Sequence, residues 1–561
     1  MIVSKLGLRI AVLGWAFLGA SFGAVADDDS AQAQRACVAL SGLRIPASAI
    51  GLPTTGAAVE KASVVAADAK DNANGEYCAV TGLISPVSRA APAIEFQVNL
   101  PPNWNGKAVQ MGGGGYDGTL VTATGRAALE PADVPTPLKQ GFVTLGSDGG
   151  HKGGPGFDGR FGTNDEALLN YGKQSIKKTH DVAVEIIRKR YGRKPAKFYF
   201  IGGSQGGHEA LDAAARYPAD YDGVVANFPA YNVTMLHMAS LDVGKAVYGD
   251  HGAGWLSPAK TKLLTDAVYA ACDTVALDGV KDGIISNVAG CNAVFNIDSV
   301  KQKLACPAGQ ETDSCLTPAQ IAAVVRITSP YRPGFAIAGM SEFPRWPLLE
   351  GALFQVSNFG TRPVPANPPE QTDALLYNAG AATSKYIITR DPSLDALTFD
   401  PNATAALRAR TQEVAKIMDV TDVDLTAFRK KGGKIILVHG TVDDFISPHN
   451  TVAYYNRQRE RQGAQALDSF LRFYLVPGLG HGMGPFNAKY DGLKVLEAWV
   501  EKGQAPGTLT AIDENPATKG RTRPMCVFPA WPKYVGTGSV AAASSYRCVG
   551  AVSHAARLSK K

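Results

Sequence analysis

The stretch Lys197-Phe-Tyr-Phe-Ile-Gly-Gly-Ser204-Gln-Gly-Gly-His-Glu-Ala-Leu211 constrains this chain more than any other. An apolar, β-prone run enters Gly202-x-Ser204-x-Gly206 and a helix-prone run leaves it, which predicts a serine on a sharp strand-to-helix turn. Residues two positions either side of such a serine have to be small, because a Cβ there would collide with the close-packed strand and helix. The turn lifts the Ser204 hydroxyl out of the sheet and sets it beside the free N–H groups and the dipole of a helix N-terminus. In a chain with 60 glycines the pattern also arises around an ordinary buried serine, so its partners decide between the two readings.

Two later segments supply those partners. Lys434-Ile-Ile-Leu-Val-His439-Gly-Thr-Val-Asp443 reads as a buried strand delivering an aspartate, and Leu471-Arg-Phe-Tyr-Leu-Val-Pro-Gly-Leu-Gly-His481 as a second delivering a histidine. The order serine, acid, histidine, with the last two on loops after late strands, is that of an α/β-hydrolase. Ser204, His481 and Asp443 would then be nucleophile, general base and orienting acid. A neutral serine is a weak nucleophile, an imidazole titrating near neutrality can take its proton and return it to a leaving alcohol, and a carboxylate fixes the imidazole tautomer. Asp444 is the second candidate for the acid. For the oxyanion of the tetrahedral intermediate, the backbone N–H of Gln205 follows from its position after the serine. The glycine loop Val109-Gln-Met-Gly112-Gly-Gly-Gly115-Tyr-Asp-Gly118 offers Gly114 or Gly115 as the second donor. That loop lacks the Lys-Ser/Thr of a phosphate-binding loop, and no organic cofactor is expected.

Lys5 and Arg9, the apolar run Ile10 to Ala20, and Ala24-Val25-Ala26 before Asp27 predict a signal peptide over residues 1–26, hence export to the periplasm or the medium. No later stretch has the uninterrupted apolar length of a membrane span, and 56 basic against 50 acidic residues argue against nucleic acid or a membrane surface as partner. A small molecule is the expected partner; the oligomeric state is open. Eight cysteines fit an oxidising compartment and fall as neighbours, Cys37 with Cys78, Cys272 with Cys291, Cys306 with Cys315 and Cys526 with Cys548, although spacing alone does not fix such a pairing. A chain of 561 residues exceeds one core of common size. The long interval between Ser204 and Asp443 carries a Pro-rich stretch at Thr361 to Pro369 and helical patterns at Ala259 to Ala271 and Thr404 to Met418. It predicts a lid domain over residues 231–426, inserted into a catalytic core of residues 27–230 and 427–561.

The motifs extend further: Leu100-Pro-Pro-Asn-Trp-Asn-Gly106, Ser147-Asp-Gly-Gly-His151, Gly440-Thr-Val-Asp443, Val476-Pro-Gly-Leu-Gly-His481, and the tail Thr522-Arg-Pro-Met-Cys526 with Tyr546-Arg-Cys548. With the glycine loop and the elbow, they resemble the tannase and fungal-type feruloyl esterase family of serine esterases, which includes mono(2-hydroxyethyl) terephthalate hydrolase. The resemblance implies an α/β-hydrolase core with a lid between nucleophile and acid, acting through an acyl-enzyme on feruloyl, galloyl or terephthaloyl esters. It also implies a structural calcium ion in the lid, held by the side chains of Asp273, Asp278 and Asp282 and the carbonyls of Val280 and Ile284. Asp273 stands further from Asp278 than the family's form has it, and two Asp-Gly turns without a metal are the alternative.

A second departure lies at the site itself. The family carries bridged cysteines directly before the serine and directly after the histidine, where this chain has Gly203 and Gly482. If the loops lie as in the family, cysteines introduced at both positions are expected to bridge. For the substrate, Tyr331, Phe335, Phe343, Trp346, Phe354 and Phe359 are either a stacking surface or lid core, and Arg345 or Arg390 either pairs with a substrate carboxylate or lies on the surface. The competing functions are a hydrolase of aliphatic hydroxyacid oligomers and a non-catalytic binding protein on a hydrolase scaffold.

Overall fold

A computed structural model describes residue 1 and residues 32–154, 157–421 and 424–550. Apart from Met1, the leader expected over residues 1–26 lies outside the described residues. The centre is a 10-stranded sheet. Its strands are Arg44–Ile45 (β1), Gly56–Val65 (β2), Tyr77–Ser85 (β3), Ile94–Leu100 (β4), Lys107–Met111 (β5), Val143–Ser147 (β6), Lys197–Gly203 (β7), Gly223–Asn227 (β8), Lys434–Gly440 (β9) and Leu471–Val476 (β10). They run in the order β1-β2-β3-β4-β6-β5-β7-β8-β9-β10. Strands β1 to β4 and the β4/β6 pair are antiparallel. From β6 through β5 to β10 every pairing is parallel.

The two halves read differently because their surroundings differ. In β3 buried and partly exposed residues alternate along much of the strand. All of β6 and β8, and all of β9 after Lys434, are buried. Parallel strands are buried on both faces, so a continuous apolar run is what they require. Successive side chains of β7 then serve different cores. Phe198 and Phe200 pack with residues of helices Ser175–Tyr191 (α1) and Gln205–Arg216 (α2), including Ile186 and Leu211. Tyr199 and Ile201 join Leu496 and Trp499 of helix Gly492–Lys502 (α3). Helix ends follow local chemistry: Asp491 caps α3 by accepting from the Lys494 amide, and Gly192 and Gly503 end α1 and α3 in the left-handed conformation.

Between β8 and β9 the chain is largely helical, with Val233–Gly252, Pro258–Cys272, Pro318–Ile327, Leu375–Ala382 and Ala405–Met418. The helix at Pro258 starts where Ser257 accepts from the Lys260 amide and proline takes the first helical position. All eight cysteines are bridged, as Cys37–Cys78, Cys272–Cys291, Cys306–Cys315 and Cys526–Cys548. Such bridges persist in extracellular or periplasmic surroundings. Among the described residues no helix is long and apolar enough to cross a membrane.

Candidate active site

Ser204 joins β7 to α2 at φ 60°, ψ −118°, a backbone conformation that persists only where its surroundings enforce it. They do so through hydrogen bonds: its amide donates to the Asn227 carbonyl (3.1 Å), and its carbonyl accepts from His208 (3.0 Å) and Ala230 (3.2 Å). The flanking glycines are required by contact. A Cβ on Gly202 would lie 2.3 Å from the Gly206 carbonyl, and one on Gly206 would lie 2.9 Å from the Gly112 backbone.

The loop after β10 brings His481 Nε2 to 3.1 Å from Ser204 Oγ. Its Nδ1 is 2.9 Å from Asp443 Oδ2, on the loop after β9. Asp443 is itself fixed, because Oδ1 accepts from the amides of Phe445 (3.0 Å) and Ile446 (2.8 Å). His439 Nε2 lies 3.2 Å from Oδ2 and 2.9 Å from the Ile446 carbonyl, while its Nδ1 faces the Thr451 hydroxyl at 2.8 Å. A carbonyl only accepts, so His439 carries its proton on Nε2 and presents it to both oxygens. Burial pushes the Asp443 carboxyl up, but the charge of His481 and the hydrogen bonds from His439 and His481 outweigh it and hold the group well below the usual range. Burial likewise lowers the His481 imidazole, and the charge and hydrogen bond of Asp443 with the charge of Asp444 outweigh that, leaving it raised.

Asp444 points elsewhere. Its Oδ2 accepts from the Ser357 hydroxyl at 2.8 Å, and burial together with the charge of Asp443 pushes it up to about 6. Of the two candidate acids, Asp443 is the one hydrogen-bonded to the imidazole.

The glycine loop is hooked to α2 from both sides: Gly206 N–H donates to the Gly113 carbonyl (3.0 Å), and Gly113 N–H to Glu209 Oε2 (3.1 Å). The Asp117 carboxyl lies near the Gly114 amide, and among the described residues the amides of Gln205 and Gly115 are committed to no other acceptor. Behind this loop lies a carboxyl pair that sequence reasoning missed. The Asp117 and Glu209 carboxyls lie close enough to act on each other. Burial, with the charge of Asp148, pushes Asp117 up to about 7; burial, with the charge of Asp117, pushes Glu209 well above its ordinary value. The pair therefore keeps a shared proton near neutrality, as close like charges in a dry site must. The available signal was a glutamate on an otherwise Gly- and Ala-rich helix face behind the elbow.

Residues 78–549 match the family model described as tannase and feruloyl esterase. The chain belongs to this family. It is 39% identical over 521 residues to an uncharacterized esterase of Agrobacterium fabrum, covering 91% of this chain and 92% of the relative. It is 30% identical over 531 residues to the mono(2-hydroxyethyl) terephthalate hydrolase of Piscinibacter sakaiensis, covering 84% and 85%. The crystal structure of feruloyl esterase B from Aspergillus oryzae superposes with a TM-score of 0.74 at 23% identity, covering 92% of this chain and all of that one, which supports the fold. The protein is thus a carboxylic ester hydrolase of α/β-hydrolase fold, acting on small-molecule esters.

In this esterase a cavity of about 1010 Å³ opens beside His481. Leu353, Phe354, Val356, Phe445 and Met483 make much of its wall, and Asp444 stands among them. Of the aromatics named from sequence, Phe354 reaches this wall. Phe343, Trp346 and Phe359 are buried core, and Tyr331 and Phe335 pack against it. Trp346 also donates from Nε1 to the Phe445 carbonyl at 3.0 Å, tying the insert to the acid loop. Arg345 pairs with Glu350 at 2.6 Å, and Arg390 binds the Asp165 carboxylate and the Gly162 carbonyl, so both arginines are committed within the protein. The bridge expected between cysteines introduced in place of Gly203 and Gly482 meets an obstacle: a Cβ on Gly203 would lie 2.8 Å from the Phe228 ring.

The loop expected to hold calcium is only partly formed for an ion. Asp273 accepts from the amides of Asp282 and Gly283, and Asp278 from those of Ser286 and Asn287. Asp282 pairs with Arg523 at 2.5 Å and accepts from the Tyr546 hydroxyl at 3.2 Å. Burial, with the charges of Asp273 and Asp282, pushes Asp278 up to about 6, a crowding of hard oxygen donors that a divalent cation would relieve. Yet among the described residues the carboxylate and imidazole groups close enough to share an ion are His180, Asp181 and Asp220, not these three aspartates. The donor types fit calcium; their present placement does not close around one point.

Proposed function

We propose that this esterase works through an acyl-enzyme on Ser204 and takes esters of aromatic acids, of feruloyl, galloyl or terephthaloyl type. The observation that carries this reading is the continuous hydrogen-bonded line Ser204–His481–Asp443 opening onto an apolar cavity. In it His481 takes the Ser204 proton during attack and returns it to the leaving alcohol, and Asp443 holds the tautomer and stabilises the imidazolium. The amides of Gln205 and Gly115, with Gly114 as the alternative, receive the oxyanion.

An aromatic acyl group suits the apolar part of the wall made by Leu353, Phe354, Val356, Phe445 and Met483, whereas a chain of hydroxyacid units would draw on the polar side chains that also line it, among them Thr261, Gln355, Asn487 and Asn515. With Asp444 in the wall, the wall's Lys262 paired with Asp266, and Arg345 and Arg390 engaged elsewhere, uncharged esters such as methyl ferulate are favoured over esters bearing a free carboxylate. Residues 231–426 act as the lid, contributing the Leu353 to Ser357 segment to the cavity. The protein is exported after cleavage near Ala26, and a calcium ion orders the loop of Asp273, Asp278, Val280, Asp282 and Ile284.

Turnover of p-nitrophenyl acetate, methyl ferulate, methyl gallate and a hydroxybutyrate dimer tests the substrate class. The aromatic esters should show the higher kcat/KM, with an acyl adduct on Ser204 in quenched samples by mass spectrometry. Preference for the dimer would overturn the substrate class, and absence of turnover the catalytic reading. An intact mass beginning at Asp27 tests export.

A further inference from the structure

We infer that Phe228 is a positioning residue for the reaction: its ring fills the gap between the elbow and the histidine loop and holds the His481 imidazole at hydrogen-bonding distance from Ser204. The inference rests on the proposed roles of Ser204 and His481 and goes beyond them.

Phe228 directly follows β8, which lies between β7, the strand of the serine, and β9, the strand of the acid. Its backbone sits at φ 35°, where a bulky side chain is an outlier. It is pinned there on both sides. The Phe228 amide donates to the Val438 carbonyl of β9 at 2.6 Å, and the carbonyl of the preceding Asn227 accepts from the Ser204 amide at 3.1 Å. A residue held in an unfavourable conformation by such bonds is a marker of a geometry the site needs.

What that conformation achieves is contact with both the elbow and the histidine loop. The ring centroid lies 4.9 Å from the imidazole centroid, inclined at 59°. On the elbow side a Cβ at Gly203 would lie 2.8 Å from both Cε2 and Cζ, so the ring touches the bare backbone of that residue. On the histidine side a Cβ at Gly482 would lie 4.0 Å from Cζ. Gly203 and Gly482 thus leave the space, and Phe228 occupies it while remaining only 7% exposed. Phe445 is a second ring packed on the imidazole, with centroids 5.4 Å apart at 75°. The Phe228 ring thus limits movement of an imidazole that is otherwise held by its hydrogen bonds to Asp443 and Ser204.

A double-mutant cycle on Gly203→Ala and Phe228→Ala, with Phe228→Leu and Ser204→Ala as controls, tests this with p-nitrophenyl acetate, a substrate too small to need the cavity wall. Phe228→Ala should lower kcat by about 10²-fold, the size of a misplacement on the order of 1 Å, with KM within about threefold of the parent. Phe228→Leu, which keeps apolar bulk in the gap, should recover most of that loss. Gly203→Ala alone should lower kcat because its Cβ pushes the ring aside, yet added to Phe228→Ala it should cost little further, since only Ala128 Cβ at 3.1 Å remains to crowd it. A kcat of Phe228→Ala within about twofold of the parent, or losses that multiply in the double mutant, would overturn the inference. If Phe228→Ala does not fold, Gly203→Ala against Gly203→Ala/Phe228→Leu makes the same comparison: the shorter leucine should relieve the crowding and restore kcat, and failure to restore it overturns the inference. Retained activity in Ser204→Ala would instead refute the nucleophile assignment.

Discussion

Replacing Asp443 by asparagine changes one atom and should reverse a tautomer. Oδ1 accepts from two amides, those of Phe445 and Ile446, so the carbonyl oxygen of an asparagine must take that place. Its amide nitrogen then stands where Oδ2 was, facing His481 Nδ1 and the proton-bearing Nε2 of His439. Flipping the amide would abandon two hydrogen bonds in a buried site, which costs more than it gains. His481 Nδ1 must therefore accept rather than donate, its proton moves to Nε2, and no lone pair remains there for the Ser204 proton. The expected loss in kcat is about 10⁴-fold, or about 5.4 kcal/mol of transition-state stabilisation, with KM little changed. Asp444→Asn is the control, because it keeps the Ser357 contact and does not bond the imidazole. Its effect should appear in pH dependence. The base form of His481 is neutral, so kcat/KM rises as pH climbs through its raised pKa; removing the Asp444 charge, one cause of that rise, should move the acid limb to lower pH. Steady-state kinetics on p-nitrophenyl acetate from pH 5 to 9, beside melting curves to establish folding, measure both effects. Asp443→Asn retaining more than about a tenth of the activity while Asp444→Asn loses about 10²-fold would show that the acid is Asp444.

Ser204→Ala should lower kcat by about 10⁴-fold or more and abolish the acyl adduct; an adduct surviving the substitution would place the nucleophile elsewhere. Glu209→Gln should flatten the loss of stability as pH rises: a carboxyl raised in the folded state contributes its stability fully below its unfolded pKa and loses it as pH climbs toward the raised value, and glutamine does not titrate. Melting temperatures across pH 4 to 8 read this, and parallel curves for parent and variant would refute the shared proton. A calcium chelator should lower the melting temperature without altering kcat of the surviving fold, and Asp278→Ala should reproduce it; elemental analysis finding no calcium in protein purified with the ion present refutes the site.

The elbow was legible because its requirement is steric and local: Gly202 and Gly206 are glycines since their backbones touch each other and the Gly112 loop. The acid and the histidine were legible because buried parallel strands are long apolar runs, and the residue after such a run stands at the sheet edge. The Asp117–Glu209 pair was not, because Glu209 on its helix face gives no sign of its partner and only the docking of the glycine loop on α2 brings the two together. Asp282 read as a free oxygen donor, and only the fold shows that Arg523, from the far end of the chain, reaches it. Arg345 and Arg390 were ambiguous for the same reason, their acidic partners being set by the packing of the insert.

The importance of Phe228 follows from strand order. Strands β7, β8 and β9 pair in parallel, with Gly203 opposite Asn227 and Asn227 opposite Val438. Their carboxyl ends therefore stand side by side, and whatever follows Asn227 lies between the serine turn and the acid loop. That same point is where the long insert departs, so the first residue of the connection faces two demands at once: it must fill the seam behind the imidazole and also turn the chain out of the sheet. A small residue would turn easily and leave the seam open to water beside the base. Phe228 fills the seam and accepts a strained backbone for the turn, held by the Val438 carbonyl. The rest of the insert is then free of that duty. Its 353–357 segment, far along the chain, returns to wall the cavity. The relay is thereby set by the ends of adjacent strands, while Leu353, Phe354 and Val356 of the wall come from a connection outside the sheet, so these three side chains can change without moving the atoms that transfer the proton.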